Sequence, residues 1–242
     1  MRQTPSLTAV TRIRSVVETP PRLAYHTTGM LVLGLDTSES PGSVALLEEA
    51  NLAVERVLPE LLRHAECLLP TIEALLAECG RTRDDVGRIC VNLGPGSFTG
   101  LRIGLATAKG MSQARRIALV GVDGMVAYRQ RAAGEGRVCV AIASRRDLVY
   151  ARWFSGERPR SETVMLREAD LVERLRAEER PLCVIGSAAR RLVDHMADSS
   201  CVTLGPAEAL DPSALAVARI GALLREGRLH ELEPMYVEPI LA

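Results

Sequence analysis

The sequence predicts an α/β protein of two stacked lobes, each laid out as a βββαβα unit with further α/β elements. Three observations carry this. Short apolar runs bounded by turns are followed by stretches of helical period, and the same order occurs twice. A glycine-rich break, Gly134-Glu135-Gly136, falls between the two passes and marks the expected hinge. With 242 residues and 47% apolar content, the chain supports one large domain or two small ones with real cores. The repetition is one of predicted topology; the two halves share no convincing sequence repeat.

Residues 1–29 have no apolar period and no hydrophobic segment of a secretory signal. They are rich in Thr, Ser, Pro and Arg and poor in acids, which suits either an organellar transit peptide or a disordered extension. The expectation is the extension, or translation beginning at Met30. The first lobe is expected over 30–134. Leu31 to Leu35 reads as a buried strand ending in Asp36-Thr37-Ser38, and Ser40-Pro41-Gly42 as a turn. Strands follow at Ser43 to Leu47 and Leu52 to Leu58. A helix covers Leu61 to Cys79, with Pro70 inside it and Gly80 as its stop. Arg88 to Leu93 is a strand, a glycine corner leads to a helix ending near Arg115, and Ile117 to Val120 and Asp123 to Ala132 close the lobe.

The second lobe is expected over 135–242. Strands fall at Val138 to Ala143, Leu148 to Phe154 and Ser161 to Leu166, with a helix over Glu168 to Ala177. Leu182 to Ile185, Ala188 to Met196, Cys201 to Leu204 and Pro212 to Arg225 then alternate strand and helix. Two lobes in this order, with a cleft between them, are shared by actin, the sugar kinases and the Hsp70-like ATPases. In those folds an Asp ending the first strand faces the nucleotide's metal, and Asp36 is placed for that, by analogy of fold.

Composition narrows the function. Thirty basic and 30 acidic residues balance, so no global field draws the chain to nucleic acid or a membrane. Lys109 is the only lysine, so arginine supplies the positive charge and a local arginine patch stays open. Aromatics at 3% argue against a base-stacking platform. Six scattered cysteines without a C-x-x-C pair read as free thiols in a reducing compartment. No apolar run reaches the roughly 18 residues of a membrane span, so a cytoplasmic protein is expected.

The corner Gly94-Pro95-Gly96-Ser97-Phe98-Thr99-Gly100 is the densest backbone specification in the chain. Ser97 or Thr99 is placed to cap the following helix, and a strand–loop–helix turn of this kind can receive an anion. Two nucleotide motifs fail on spacing. Leu101 stands where a P-loop needs Lys, and Thr99 where a dinucleotide fingerprint needs Gly. Ser97 adjoins its glycine, so the serine-nucleophile elbow fails as well. Asp36, Thr37, Gly94, Gly96 and Ser97 are the candidate cofactor-binding residues, with turn capping as the plain alternative. Gly100, Gly104 and Ala108 repeat at four-residue spacing and form a flat stripe that another backbone can approach. With Leu101 and Leu105 beside it, and Leu68, Ile72 and Leu76 on the preceding helix, the stripe is the candidate partner surface. Leu105→Arg is then expected to leave the monomer folded and abolish partner binding.

Leu33-Gly34-Leu35-Asp36-Thr37-Ser38, Gly42-Ser43-Val44-Ala45-Leu46, His64 through Leu69-Pro70, and the run from Gly94 to Gly104 closely resemble the bacterial TsaB (YeaZ) family. The likeness is strongest over about 30 to 126. In the second half Ala143-Ser144-Arg145 stands where the family often has Asp-Ala-Arg. Glu238 closes Pro234-Met235-Tyr236-Val237-Glu238 where the family has Arg, so the resemblance implies no role that depends on that Asp or Arg. The resemblance implies a non-catalytic subunit in making threonylcarbamoyladenosine on tRNA. It implies pairing with the catalytic paralogue TsaD and the ATPase TsaE, contact with tRNA through the complex, and self-pairing when alone. The paralogue holds a metal through His-x-x-x-His; here His64 is followed at i+4 by Leu68, which cannot complete such a site. No cofactor is firmly implied; a weakly held adenine nucleotide with Mg²⁺, in the cleft or at the partner interface, stays open. A small-molecule kinase or ATPase of the same fold, or a metallopeptidase-like protein, are the rival readings.

Overall fold

The computed structural model describes residues 13–15, 29–48, 51–59, 64–132, 134, 136–196 and 201–238. In the first lobe the strands are β1 (Ile13–Ser15), β2 (Leu31–Asp36), β3 (Ser43–Glu48), β4 (Leu52–Val57), β5 (Val86–Asn92) and β6 (Ala118–Val122). Its helices are α1 (His64–Glu78) between β4 and β5, α2 (Phe98–Arg115) between β5 and β6, and α3 (Gly124–Gln130) after β6. The sheet order is β1-β4-β3-β2-β5-β6, with β2, β3 and β4 antiparallel and β2, β5 and β6 parallel.

The second lobe contains β7 (Arg137–Ala143), β8 (Leu148–Ser155), β9 (Arg158–Pro159), β10 (Val164–Arg167), α4 (Glu168–Arg176), β11 (Leu182–Ile185), α5 (Ala189–Asp194), β12 (Val202–Leu204) and α6 (Ala214–Leu223). Its order is β10-β8-β7-β11-β12, with β9 paired to β8. Leaving aside β1 and β9, both sheets run third, second, first, fourth, fifth. The duplicated two-lobed fold expected from the sequence is therefore present.

Period-two alternation decides what covers each face. Leu31, Leu33, Leu35, Val44, Leu46, Ile89 and Val91 point into a core shared with α1 and α2. Their neighbours Val32, Ala45, Leu47 and Cys90 point to the opposite face, which α6 covers. In the second sheet Cys139, Ala141, Val149 and Ala151 meet α4 and α5. Val138, Val140 and Ile142 pack instead with Met125 and Tyr128 of α3. Each lobe thus buries one face under its own two crossover helices and the other under the last helix of its neighbour. The division expected at 134 and 135 groups α3 and α6 by sequence; in space each covers the other lobe's sheet.

The exchange has a physical basis at α6. An added Cβ at Gly34 of β2 would overlap the Ala214 carbonyl, so the helix lies directly on that strand. Glu55 of β4 accepts from the Leu215 N–H at 3.3 Å and the Ser213 hydroxyl at 3.1 Å, placing a carboxylate at the helix start. At the other end Arg88 Nη1 donates to the carbonyls of Gly221, Ala222 and Leu224 at 2.9–3.0 Å. Both ends of α6 are closed by first-lobe side chains of the sign that its dipole favours.

The region of residues 1–29 lies outside the described residues except for Gly29 and for Ile13–Ser15, which pair antiparallel with β4. Residues 61–63 of the expected first helix and Glu135 of the expected hinge also lie outside them. Among the described residues no helix is long and apolar enough to cross a membrane.

Candidate functional site

The end of β2 and the glycine corner meet in one buried network. The Ser38 N–H and hydroxyl both donate to Asp36 Oδ1, at 3.0 and 2.6 Å. Asn92, the last residue of β5, donates from Nδ2 to Asp36 Oδ2 at 2.9 Å. Its Oδ1 accepts the Gly94 N–H at 2.7 Å. The Ser97 N–H donates to the Ser38 carbonyl at 2.6 Å, and Thr37 Oγ1 donates to the Gly100 carbonyl at 2.8 Å. Asp36, Thr37, Ser38 and Asn92 are all buried. Burial pushes the Asp36 carboxyl above its usual range, and the Ser38 and Asn92 hydrogen bonds pull partly against that.

The five candidate cofactor residues are therefore brought together, and three of their donors are spent inside the chain. The Gly94 and Ser97 N–H groups and the Thr37 hydroxyl all have internal partners. Ser97, rather than Thr99, caps α2 by accepting the Gly100 N–H at 3.2 Å. Gly94 adopts φ +108°, and an added Cβ at Gly96 would overlap the Ser38 carbonyl. The glycines serve a close approach of corner and strand end. His64 opens α1 beside this network, with Nε2 and Nδ1 each 3.3 Å from where a Cβ on Gly42 or Gly100 would stand. Burial lowers its pKa, with Asp36 pulling weakly the other way. Among the described residues no group of three or more His, Cys, Asp or Glu is arranged to hold a metal.

The partner surface needs correction. Leu68, Ile72, Leu76, Gly100, Leu101, Gly104, Leu105 and Ala108 are all buried within the chain itself. Leu68, Ile72, Leu76, Leu105 and Ala108 fill the core between α1, α2 and the first sheet. At Gly100 an added Cβ would overlap the Thr37 carbonyl, and at Gly104 the Thr37 hydroxyl. The small-residue stripe faces the end of β2, which is why it must be small. Leu105→Arg would accordingly place a charge in the core. The free sides of the same helices carry Leu69, 44% exposed, and Ala106 and Gly110.

Sequence reasoning missed a second cluster across the lobe junction. Glu39, in the β2–β3 turn, accepts from the Tyr128 hydroxyl at 2.5 Å, and Ser187 of the second lobe also hydrogen-bonds to it. Burial, opposed by those hydrogen bonds and aided by nearby Asp36 and Asp211, raises the Glu39 pKa to about 7. Beside it opens a cavity of about 570 Å³, lined by Gly186, Ser187, Arg190 and Asp211 among others. No local motif announces Glu39; its partners lie 89 and 148 positions away. Asn92 was missed too, although a local signal was there: a polar residue directly after the apolar Ile89-Cys90-Val91, two positions before Gly94.

The duplicated sheets, the exchanged helices and the Asp36 network at the lobe junction define a two-lobed protein of the actin and sugar-kinase class. Residues 55–175, half of the chain, match the family described as TsaD: tRNA N6-adenosine threonylcarbamoyltransferase. The tRNA threonylcarbamoyladenosine biosynthesis protein TsaB of Bacillus subtilis is 26% identical over 86% of this chain and 94% of its own. The protein of the same name from Escherichia coli is 27% identical over the same shares. The solved structure of YeaZ from Pseudomonas aeruginosa aligns at a TM-score of 0.68, with 27% identity, over 86% of this chain and all of that one. The chain belongs to the TsaB (YeaZ) family of tRNA threonylcarbamoyladenosine biosynthesis proteins, as its motifs between Leu33 and Gly104 led one to expect.

Proposed function

We propose that this chain is the non-catalytic, activating subunit of threonylcarbamoyl transfer to tRNA in the cytoplasm, paired with a TsaD-type catalytic subunit and joined by a TsaE-type ATPase. One observation carries the reading. Where the catalytic paralogue's metal pair needs a second histidine, this chain has Leu68, 1% exposed and packed in the α1–α2 core. Among the described residues the half-buried His64 imidazole, set against two glycines, lacks the further ligands for such a centre. The partner face is the free side of α1 and α2 around Leu69, and the isolated chain pairs with itself through the same face. Reconstitution tests this: omitting the chain should abolish or strongly slow threonylcarbamoyl transfer, and the chain alone should catalyse none. Undiminished transfer without it would sink the proposal. Leu69→Arg should leave the circular dichroism unchanged and weaken both self-association and binding to the catalytic subunit.

The cavity beside Ser187 supports a second reading, in which the cleft holds an adenine nucleotide with Mg²⁺. Calorimetry with ATP-Mg decides between them. Tight binding with turnover would make the chain an ATPase or kinase, while weak binding without turnover leaves it a scaffold.

A further inference from the structure

A smaller cavity of about 200 Å³ lies at one end of the second sheet, lined by Arg137, Trp153, Phe154, Ser155, Arg160 and Arg180. Topology gathers these from four places in the chain. Arg137 opens β7 opposite Ser155 at the end of β8, Arg160 follows β9, and Arg180 stands just before β11. Arg137 is held in place by an ion pair with Glu178 at 2.7 Å and a hydrogen bond from Nη1 to the Arg180 carbonyl at 3.3 Å. The Arg160 N–H donates to the Trp153 carbonyl at 2.8 Å, fixing that backbone. The guanidinium groups of Arg160 and Arg180 have no hydrogen-bond or ion-pair partner among the described residues, and no carboxylate lines the cavity.

We propose that this site binds a backbone phosphate of the tRNA, an inference that rests on the function proposed above. Three guanidinium groups meet at one cavity, one neutralised by Glu178 and two left for a ligand. Guanidinium donors form a fork that matches phosphate oxygens, and the volume admits a tetrahedral anion. The site belongs to the second lobe, whereas the free faces of α1 and α2 belong to the first, so both can be engaged together. A chain with no net charge has no global attraction to RNA, so its affinity must come from a local cluster of this kind.

Trp153 is the only tryptophan in the chain and lines the cavity, so its emission reports occupancy directly. The full chain and its Arg160→Ala/Arg180→Ala variant are titrated with unmodified tRNA, with inorganic phosphate and with polyglutamate. The expected result is a saturable change with tRNA that weakens severalfold in the variant, and a log-affinity against log-salt slope shallower by about 1. In the reconstituted complex the variant should raise the KM for tRNA and leave kcat unchanged. Equal tRNA affinity and salt slope for the two proteins would overturn the proposal, as would emission that answers to polyglutamate but not to tRNA. The two proposals fail separately. If transfer needs the chain but tRNA binding ignores the two arginines, only the site falls. If transfer ignores the chain while the variant still loses tRNA, only the subunit role falls.

Discussion

The two lobes solve the same topology with opposite use of the same corner. In both, the turn after the fourth strand of the unit is pressed against the end of the first strand. Gly100 lies on the Thr37 carbonyl in the first lobe, and Gly186 on the Ala141 carbonyl in the second. Thr37 Oγ1 donates to the Gly100 carbonyl, and Ser187 Oγ accepts the Ala143 N–H at 2.9 Å. The first lobe then extends into an 18-residue helix, and its corner is filled by Asp36, Ser38 and Asn92. The second lobe has a six-residue helix at that place, and the 570 Å³ cavity opens beside its turn. The first corner is built as a solid joint, while the second leaves room.

Glycine substitutions test that contrast most severely. Gly100→Ala drives a methyl into a backbone oxygen on a fixed strand end, and should cost about 4 kcal/mol in urea unfolding. Gly110→Ala, on the same helix with nothing within 4 Å of the new methyl, should stabilise by about 0.5–1 kcal/mol. Equal effects at the two positions would mean that the approach to Thr37 is not what holds α2. Next in size is the pair Leu105 and Leu69. Leu105→Ala opens the α1–α2 core and should cost about 3 kcal/mol. Leu69→Ala should change stability by less than about 0.5 kcal/mol and yet weaken partner binding. A large stability loss at Leu69 would remove it from the partner face.

Those two leucines show where the sequence stopped being informative. The succession of strands and helices along the chain and the corner were legible because period-two and helical patterns are local, and glycine and proline punctuate them; the order of the strands within each sheet was not. Asp36, Thr37, Gly94, Gly96 and Ser97 were legible as candidates in two short motifs, and the structure sets those motifs against each other. Which face of α2 meets the sheet was not legible. A stripe of small residues reads the same whether it receives a partner's backbone or the chain's own Thr37. The exchange of α3 and α6 was invisible too, because an apolar helix carries no label for the sheet that it covers. Arg88 and Glu55 supply that label through carbonyls and N–H groups more than 130 positions away.

Arg88→Ala therefore probes the exchange itself. It removes three hydrogen bonds at the C-terminus of α6 and should cost about 2 kcal/mol. Hydrogen exchange should rise in α6 and in β2 and β5 beneath it, while α4 and α5 stay protected. Uniform loss of protection over both lobes would show that α6 is not a separable first-lobe element.

The smallest effect lies at the junction itself and carries a definite sign. Glu39 has its pKa raised from 4.5 to about 7, mainly by burial. Between those values the folded protein holds a proton that the unfolded chain has lost. Stability must therefore fall as pH rises through that window, and stay reduced above about 7. Glu39→Gln keeps an oxygen to accept the Tyr128 hydroxyl and removes the charge. It should match the parent at pH 4 and exceed it at pH 8 by about 1 kcal/mol, less than the full linkage value because Glu39 is only half-buried. Unfolding midpoints in urea, measured from pH 4 to 9, give the difference curve. A curve that stays flat across the range would mean that water reaches Glu39 freely between Tyr128 and Ser187, and the contact between the lobes would then be looser at this point than the buried Asp36 joint beside it.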